Sequence, residues 1–264
     1  MAKRELIIVK VGGSVLTNKH GYEQVNTTAL ERVAGAIAKA HSKHDVVLVI
    51  GVGSFGHPQV VKHGINNGVF TREKMIGVAD TRVAVTRLSQ LVLQTLIKHG
   101  VPAICFPVVA IAESRNKRLR AMFTPELQKI LRAGFVPLLH GDMVFDSKLN
   151  ASVLSGDQIV PFLAKKLHAK RMVFGTDVDG VFNADPKRDS SAKLIPLISG
   201  KNLKQLLHFL EEAKTADVTG GMKGKVTELL SYAKSAPIVI TNANTQEFEK
   251  ALLGEKARGT IVKR

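Results

Sequence analysis

Short apolar runs that break off into glycine-rich turns recur along this chain, each followed by a helical pattern. No other feature constrains the fold as tightly. Residues 6–11 run into Gly12-Gly13-Ser14, 46–50 into Gly51-Val52-Gly53, and 171–175 into Thr176-Asp177. Runs of five or six residues are too short for helices, and their continuous apolarity suits strands buried on both faces. A strand followed by an amphipathic helix lays the next strand parallel to the first. The chain therefore reads as α/β, with a mostly parallel sheet covered by helices. Strands are expected at 6–11, 46–50, 103–109, 135–140, 171–175 and 237–241. Helices are expected at 28–41, 72–99, 125–132, 157–167, 223–234 and 245–253, with hairpins at 115–123 and at 143–146 with 151–154. No repeat or low-complexity linker divides the 264 residues, which read as a single domain.

The turn at 51–58, GVGSFGHP, has the glycine spacing of two known phosphate loops. A Walker A loop carries Lys and then Ser or Thr after its last glycine, and here His57 and Pro58 stand there. A dinucleotide site puts its turn after the first strand, with an acid about 20 residues on, ending the second strand. This turn follows the second strand, and Glu73 and Asp80 fall in a helical pattern. What remains is the general mechanism. Glycines let backbone N–H groups at a helix N-terminus crowd an anion, with His57 as an added donor and Pro58 in the first turn.

Lys10 interrupts an otherwise apolar strand, where an unpaired ammonium is costly, so it either reaches the surface or faces a carboxylate or phosphate. Lys19 follows after a short loop, and the two lysines bracket the first turn. Asp157, in LSGDQ, opens a helix either as its cap or as an anchor for lysines. GTDVDGV carries Asp177 and Asp179 without the further oxygen ligands of a calcium loop. DVTGGMKGK, at 217–225, places Lys223 and Lys225 in a first helical turn, against the helix dipole. An anion at that end explains them better than helix stability does.

In this order, KVGGSVLTNK, GVGSFGHP, the HGD at 140–142, SGDQ, GTDVDGV, DVTGGMKGK and ALLGEKARGT resemble the amino-acid kinase superfamily over nearly the whole chain. The outer motifs are shared with carbamate, acetylglutamate, aspartate and uridylate kinases. His57 in GSFGH narrows the likeness to the isopentenyl phosphate kinases. Fosfomycin-type antibiotic kinases carry a similar loop and form the alternative. Val52 stands where Gly or Ala is often found.

The resemblance implies a three-layer sandwich in which an open, mostly parallel eight-stranded sheet lies between helix layers, in a homodimer. It implies acceptor-phosphate binding by about residues 1–155 and nucleotide binding by about 156–264. Lys10, Gly12, Gly13 and Ser14 would hold ATP phosphates, Lys19 would reach the transferred group, and Gly53 would line the transfer site. The acceptor phosphate would fall to Val52, Ser54, His57, Ser155 and Gly156, and Asp157 would orient the lysines. Asp177 and Asp179 would lie near the nucleotide, with Gly221 and Lys225 on its phosphate tail. Phe70, Met75, Ile76 and Val83 would line a pocket for the hydrocarbon tail. ATP with Mg2+ would be the donor and isopentenyl phosphate the acceptor, with no metal site on the protein itself. A phosphate monoester has a second pKa of about 6 and arrives deprotonated, so no catalytic base is expected beside the glycine turns.

Charge sets the remaining bounds. With 38 Lys+Arg against 22 Asp+Glu the chain carries +16, a field that attracts anions of any kind. Aromatics make up 5% and Trp is absent, so stacking platforms for nucleic acid are poorly supplied. A solvated basic surface is the plainer reading than a nucleic-acid-binding module, and an NAD oxidoreductase is the weakest. The single Cys105 excludes an intrachain disulfide and a Cys-based zinc site, and fits a reducing cytoplasm. No apolar run approaches the roughly 18 residues of a membrane span. Lys10 also breaks the N-terminal apolar run, which reads as a buried strand and not a signal peptide.

Overall fold

Alternation along one central strand sets the layers. In a computed structural model describing residues 4–18, 21–200, 202, 228–229 and 236–263, β1 (Leu6–Val11) lies between β2 (Asp45–Ile50) and β9 (Arg171–Thr176), parallel to both. Successive side chains point to opposite faces of a strand. Ile7, Val9 and Val11 accordingly enter one core and Ile8 the other. The first core lies under α2 (Thr27–Lys43), α4 (Arg72–Lys98) and α7 (Gln246–Leu253), which supply Leu30, Val33, Ile37, Leu88, Val92, Phe248 and Leu252. The second lies under α6 (Gly156–Leu167), through Ile159, Val160 and Leu163, and under α5 (Pro125–Arg132), through Leu127. Three- and four-residue spacing along each helix gives it one apolar stripe to bury.

The main sheet has eight strands in the order β10 (Leu197–Ile198), β12 (Thr260–Val262), β11 (Ile238–Asn242), β9, β1, β2, β6 (Val136–His140) and β3 (Ala103–Cys105). From β11 to β3 all pairings are parallel, and β12 runs antiparallel to β11. This is the expected three-layer α/β sandwich. The two expected hairpins are β4 (Ala112–Arg115) with β5 (Arg118–Met122), and β7 (Asp142–Asp146) with β8 (Asn150–Leu154). They join into a second sheet of four strands, ordered β5-β4-β7-β8. Buried Asp146 knits it, accepting from the N–H groups of Asn116 at 2.9 Å, Lys117 at 2.8 Å and Lys148 at 2.9 Å, and from Ser152 Oγ at 2.8 Å. Burial alone would raise its pKa, but these donors outweigh it and bring the value to about 2.

Most strand boundaries fall within one residue of expectation, the first hairpin begins three residues earlier, at Ala112, and the third strand departs furthest. The third strand ends at Cys105 and not at 109, because Pro107 has no N–H to offer a neighbour and the chain turns into a single helical turn at Val108–Ala110. β10 and β12, two and three residues long, are too short to show a period and carry no strand signal in the sequence. The helix expected at 223–234 falls almost wholly outside the described residues, of which 228–229 are helical.

Candidate active site

Parallel register lines up the strand ends. Gly175, Val11, Ile50 and His140 are successive partners across β9, β1, β2 and β6. The residues that follow are Thr176-Asp177, Gly12-Gly13-Ser14, Gly51-Val52-Gly53 and Gly141-Asp142. Four motifs far apart in sequence thus emerge at the carboxyl edge of one sheet, where open α/β sheets bind ligands. The two glycine turns meet backbone to backbone. A Cβ on Gly13 would fall 2.6 Å from Gly53 Cα, and one on Gly53, whose φ is +46°, would fall 2.8 Å from Gly13 O. Only glycine fits at either position. Thr17, just after the short α1 (Gly13–Leu16), bolts the turns together: its Oγ1 donates to Gly13 O at 2.8 Å and accepts from Ser54 N at 3.0 Å.

Strand parity sends Lys10 to the face of Ile8, toward α6. It is 7% exposed, and its Nζ donates to Asp157 Oδ1 at 2.8 Å. Of the alternatives open to this lysine, the surface is excluded and a carboxylate faces it. Asp157 is not the helix cap. Ser155 caps α6, its Oγ accepting from Asp157 N at 3.2 Å, and Asp157 is the second helical residue. Gly156 keeps the space beside the lysine open, since a Cβ there would lie 3.2 Å from Lys10 Cε. An ammonium withdrawn from water and aimed by one carboxylate acts on nearby anions with little screening.

On the side of β9, Ser14 Oγ donates to Asp177 Oδ1 at 3.0 Å and Lys187 Nζ donates to Asp177 Oδ2. Burial pushes the Asp177 carboxyl up, but the bonds from Lys187 and Ser14 outweigh it and leave its pKa below the ordinary value. Asp179 Oδ1 accepts from Asn242 Nδ2 at 3.1 Å, and Oδ2 pairs with Arg258 Nε at 3.1 Å. Gly12 N donates to Gly175 O at 2.9 Å and ties the first turn to this side. Toward β6, buried Asp142 accepts from Arg82 Nη1 at 2.5 Å and from Val109 N at 3.3 Å. Lys187, Thr17 and Arg82 escape sequence reasoning. Each meets its partner through tertiary structure, and none interrupts an apolar pattern as Lys10 does.

The second turn departs from expectation in one respect. α3 (Gly53–Lys62) begins at Gly53, so His57 and Pro58 sit in its second turn and not at its start. Pro58 has no N–H for Ser54 O, and Glu23 N takes that place at 3.3 Å. Gly56 makes room for Val52, whose Cβ would lie 3.0 Å from a Cβ built there. His57 is partly buried and Ser54 buried. Phe70, Met75, Ile76 and Val83 lie just before and along α4, 53–59% exposed and so apart from its packed face. Lys19, Gly221 and Lys225 lie outside the described residues. Burial pushes the Cys105 thiol up, away from the reactive thiolate form. Among the described residues no group of three or more His, Cys, Asp or Glu is placed to hold a metal ion, and no helix is long and apolar enough to cross a membrane.

Two glycine turns touch at the carboxyl edge of a parallel sheet, with a buried lysine on the strand that runs into the first, an arrangement suited to holding two anions close together. The model of the amino acid kinase family matches residues 5–242. The isopentenyl phosphate kinase of Methanothermobacter thermautotrophicus is 36% identical, covering 97% of this chain and 98% of that protein. The Arabidopsis thaliana isopentenyl phosphate kinase is 31% identical, covering 94% and 90%. A solved isopentenyl phosphate kinase superposes with a TM-score of 0.84 at 34% identity, covering 97% of this chain and 99% of its own. The chain belongs to the amino acid kinase family, and within it to the isopentenyl phosphate kinases.

Proposed function

We propose that the chain transfers the γ-phosphoryl group of ATP to isopentenyl phosphate, forming ADP and isopentenyl diphosphate. The observation that carries this reading is the backbone contact between Gly13 and Gly53 beside the buried Lys10–Asp157 pair. It brings two anion-binding turns within the span of one in-line transfer. Lys10, the amides of Gly12 and Gly13, and Ser14 would hold the nucleotide phosphates, with Asp177 and Asp179 beside them and Gly221 and Lys225 on the tail. Lys19 would meet the charge that develops on the moving group. The acceptor phosphate would rest on Val52, Gly53 and Ser54, with His57 as side-chain donor and Ser155 and Gly156 opposite. The acceptor arrives as an anion and attacks without a base. Asp157 and Asp177 are each paired with a lysine, so a magnesium ion would be held mainly by the nucleotide phosphates and water. Magnesium would neutralise charge on those phosphates.

The prenyl tail would run along Phe70, Met75, Ile76 and Val83, whose exposure leaves apolar area for a ligand. Acceptor binding would fall mainly to about residues 1–155 and nucleotide binding mainly to about 156–264 of one domain, with the first glycine turn the exception. A homodimer in the cytoplasm completes the reading. Exposed Leu91 and Ile97, further along α4, support a partner on that helix, and light scattering should return twice 28.6 kDa. The enzymatic reading is tested by ADP release with MgATP and either isopentenyl phosphate or fosfomycin. Turnover with isopentenyl phosphate should be faster by about 10²-fold or more. Equal or reversed rates would make the chain a phosphonate kinase.

A further inference from the structure

Residues 22–24 lie along the first two turns of α3 and are fastened to them at both ends. Gln24 N donates to Ser54 Oγ at 3.3 Å, and Glu23 N donates at 3.3 Å to Ser54 O, the carbonyl that Pro58 leaves without an N–H. Past the proline, buried Gln59 reaches back: its Nε2 donates to Glu23 Oε1 at 3.1 Å and to Tyr22 Oη. The other carboxylate oxygen of Glu23 accepts from Arg87 of α4, from Nε at 2.9 Å and also from Nη2. The Glu23 side chain is 14% exposed and that of Arg87 51%, so two N–H groups of one guanidinium converge on a largely withdrawn carboxylate. Glu23 has a φ of +50°, a conformation that L residues rarely adopt and that persists where the surroundings over-determine it. These contacts do so.

The stretch they hold runs from Ser54 to Gln59 and includes His57. α3 has no side-chain cap at its start, and the proline removes one hydrogen bond from its first turns. This part of the helix therefore takes its orientation from residues 22–24. Arg87 lies one helical turn beyond Val83 on α4. The same carboxylate thus ties the helix assigned above to the acceptor's phosphate to the helix assigned to its tail.

We propose that Glu23 is a positioning residue for acceptor binding: through Gln59 and Arg87 it fixes the turn of α3 that carries His57 against α4. The inference rests on the kinase reading and adds to it a residue that acts through another side chain.

The test is steady-state kinetics of Glu23→Gln, Glu23→Ala and Arg87→Ala toward each substrate, beside their melting temperatures. Glu23→Ala and Arg87→Ala should lower efficiency toward isopentenyl phosphate by roughly tenfold, mostly through KM, with the ATP KM within about twofold of parent. Glu23→Gln, which keeps an acceptor oxygen and loses the charge, should fall between parent and Glu23→Ala. In a His57→Ala background Glu23→Ala should cost less than about threefold, since the side chain it positions is gone. Should Glu23→Ala fail to fold, Arg87→Ala decides by the same two comparisons. A purely structural role would lower the melting temperature and leave both KM values unchanged, or would cost the same with and without His57, and either result overturns the proposal. Equal losses toward ATP and acceptor overturn it too. A parent that releases no ADP with isopentenyl phosphate overturns the functional reading itself, and the proposal with it.

Discussion

A lysine in the middle of an apolar strand costs free energy unless something meets it. Lys10 was legible for that reason, and Asp157 for its place at a strand-to-helix junction, but their distance, 2.8 Å across 147 residues of sequence, was not. Lys187 and Thr17 were illegible because their partners come from other segments and their own neighbourhoods look like ordinary loop and turn. The structure pairs Asp157 with Lys10 and gives the helix cap to Ser155, and on the proposed reading Asp157 would aim the lysine. Asp157→Asn should therefore lower turnover by on the order of 10²-fold, as losing a preorganised charge contact does. ATP affinity should stay within about threefold, because the glycine amides remain. Steady-state kinetics beside a nucleotide titration checks this, and equal loss in both would make Asp157 a nucleotide ligand.

The strands and the long helices were legible because their apolar periods are strong, and the turns because glycine marks them. Where α3 begins was not, since its first turn is set by contact with Gly13 and Thr17 and not by a capping side chain. Gly53→Ala and Gly64→Ala separate the two demands on these glycines. Both have positive φ, +46° and +59°, but nothing lies within 4 Å of a Cβ on Gly64. Gly64→Ala should cost roughly 1–2 kcal/mol and keep activity. Gly53→Ala should cost about 1–3 kcal/mol more and abolish most turnover. Urea unfolding and an ADP assay on the two variants read this out, and equal stability loss would mean that the turns are free to part.

In the smaller sheet, Asp146 has a folded pKa of about 2, below the ordinary 3.8. Its ionised form stabilises the fold fully above about pH 4, and that contribution is lost as pH falls toward 2. Asp146→Asn should be less stable than the parent at pH 7, and the deficit should shrink between about pH 4 and pH 2. Unfolding midpoints across that range decide, and a deficit independent of pH would assign the loss to geometry alone.

Across the whole molecule, the order of eight strands was not derivable from patterns, because β10 and β12 carry two and three residues and join only through tertiary pairing. The general architecture followed from alternation, and the strand count came with the family likeness. The charge of +16 belongs to this scale as well. Both substrates are anions, so catalytic efficiency should fall as ionic strength rises, with turnover at saturation nearly flat. On the proposed reading the two touching turns divide the labour: the acceptor phosphate would rest on GVGSFGHP and ATP on KVGGS. Kinetics of His57→Ala toward each substrate test it most directly. Efficiency toward isopentenyl phosphate should fall on the order of 10²–10³-fold, with the ATP requirement within about twofold of parent. Full activity, or an equal loss toward ATP and acceptor, would contradict the account.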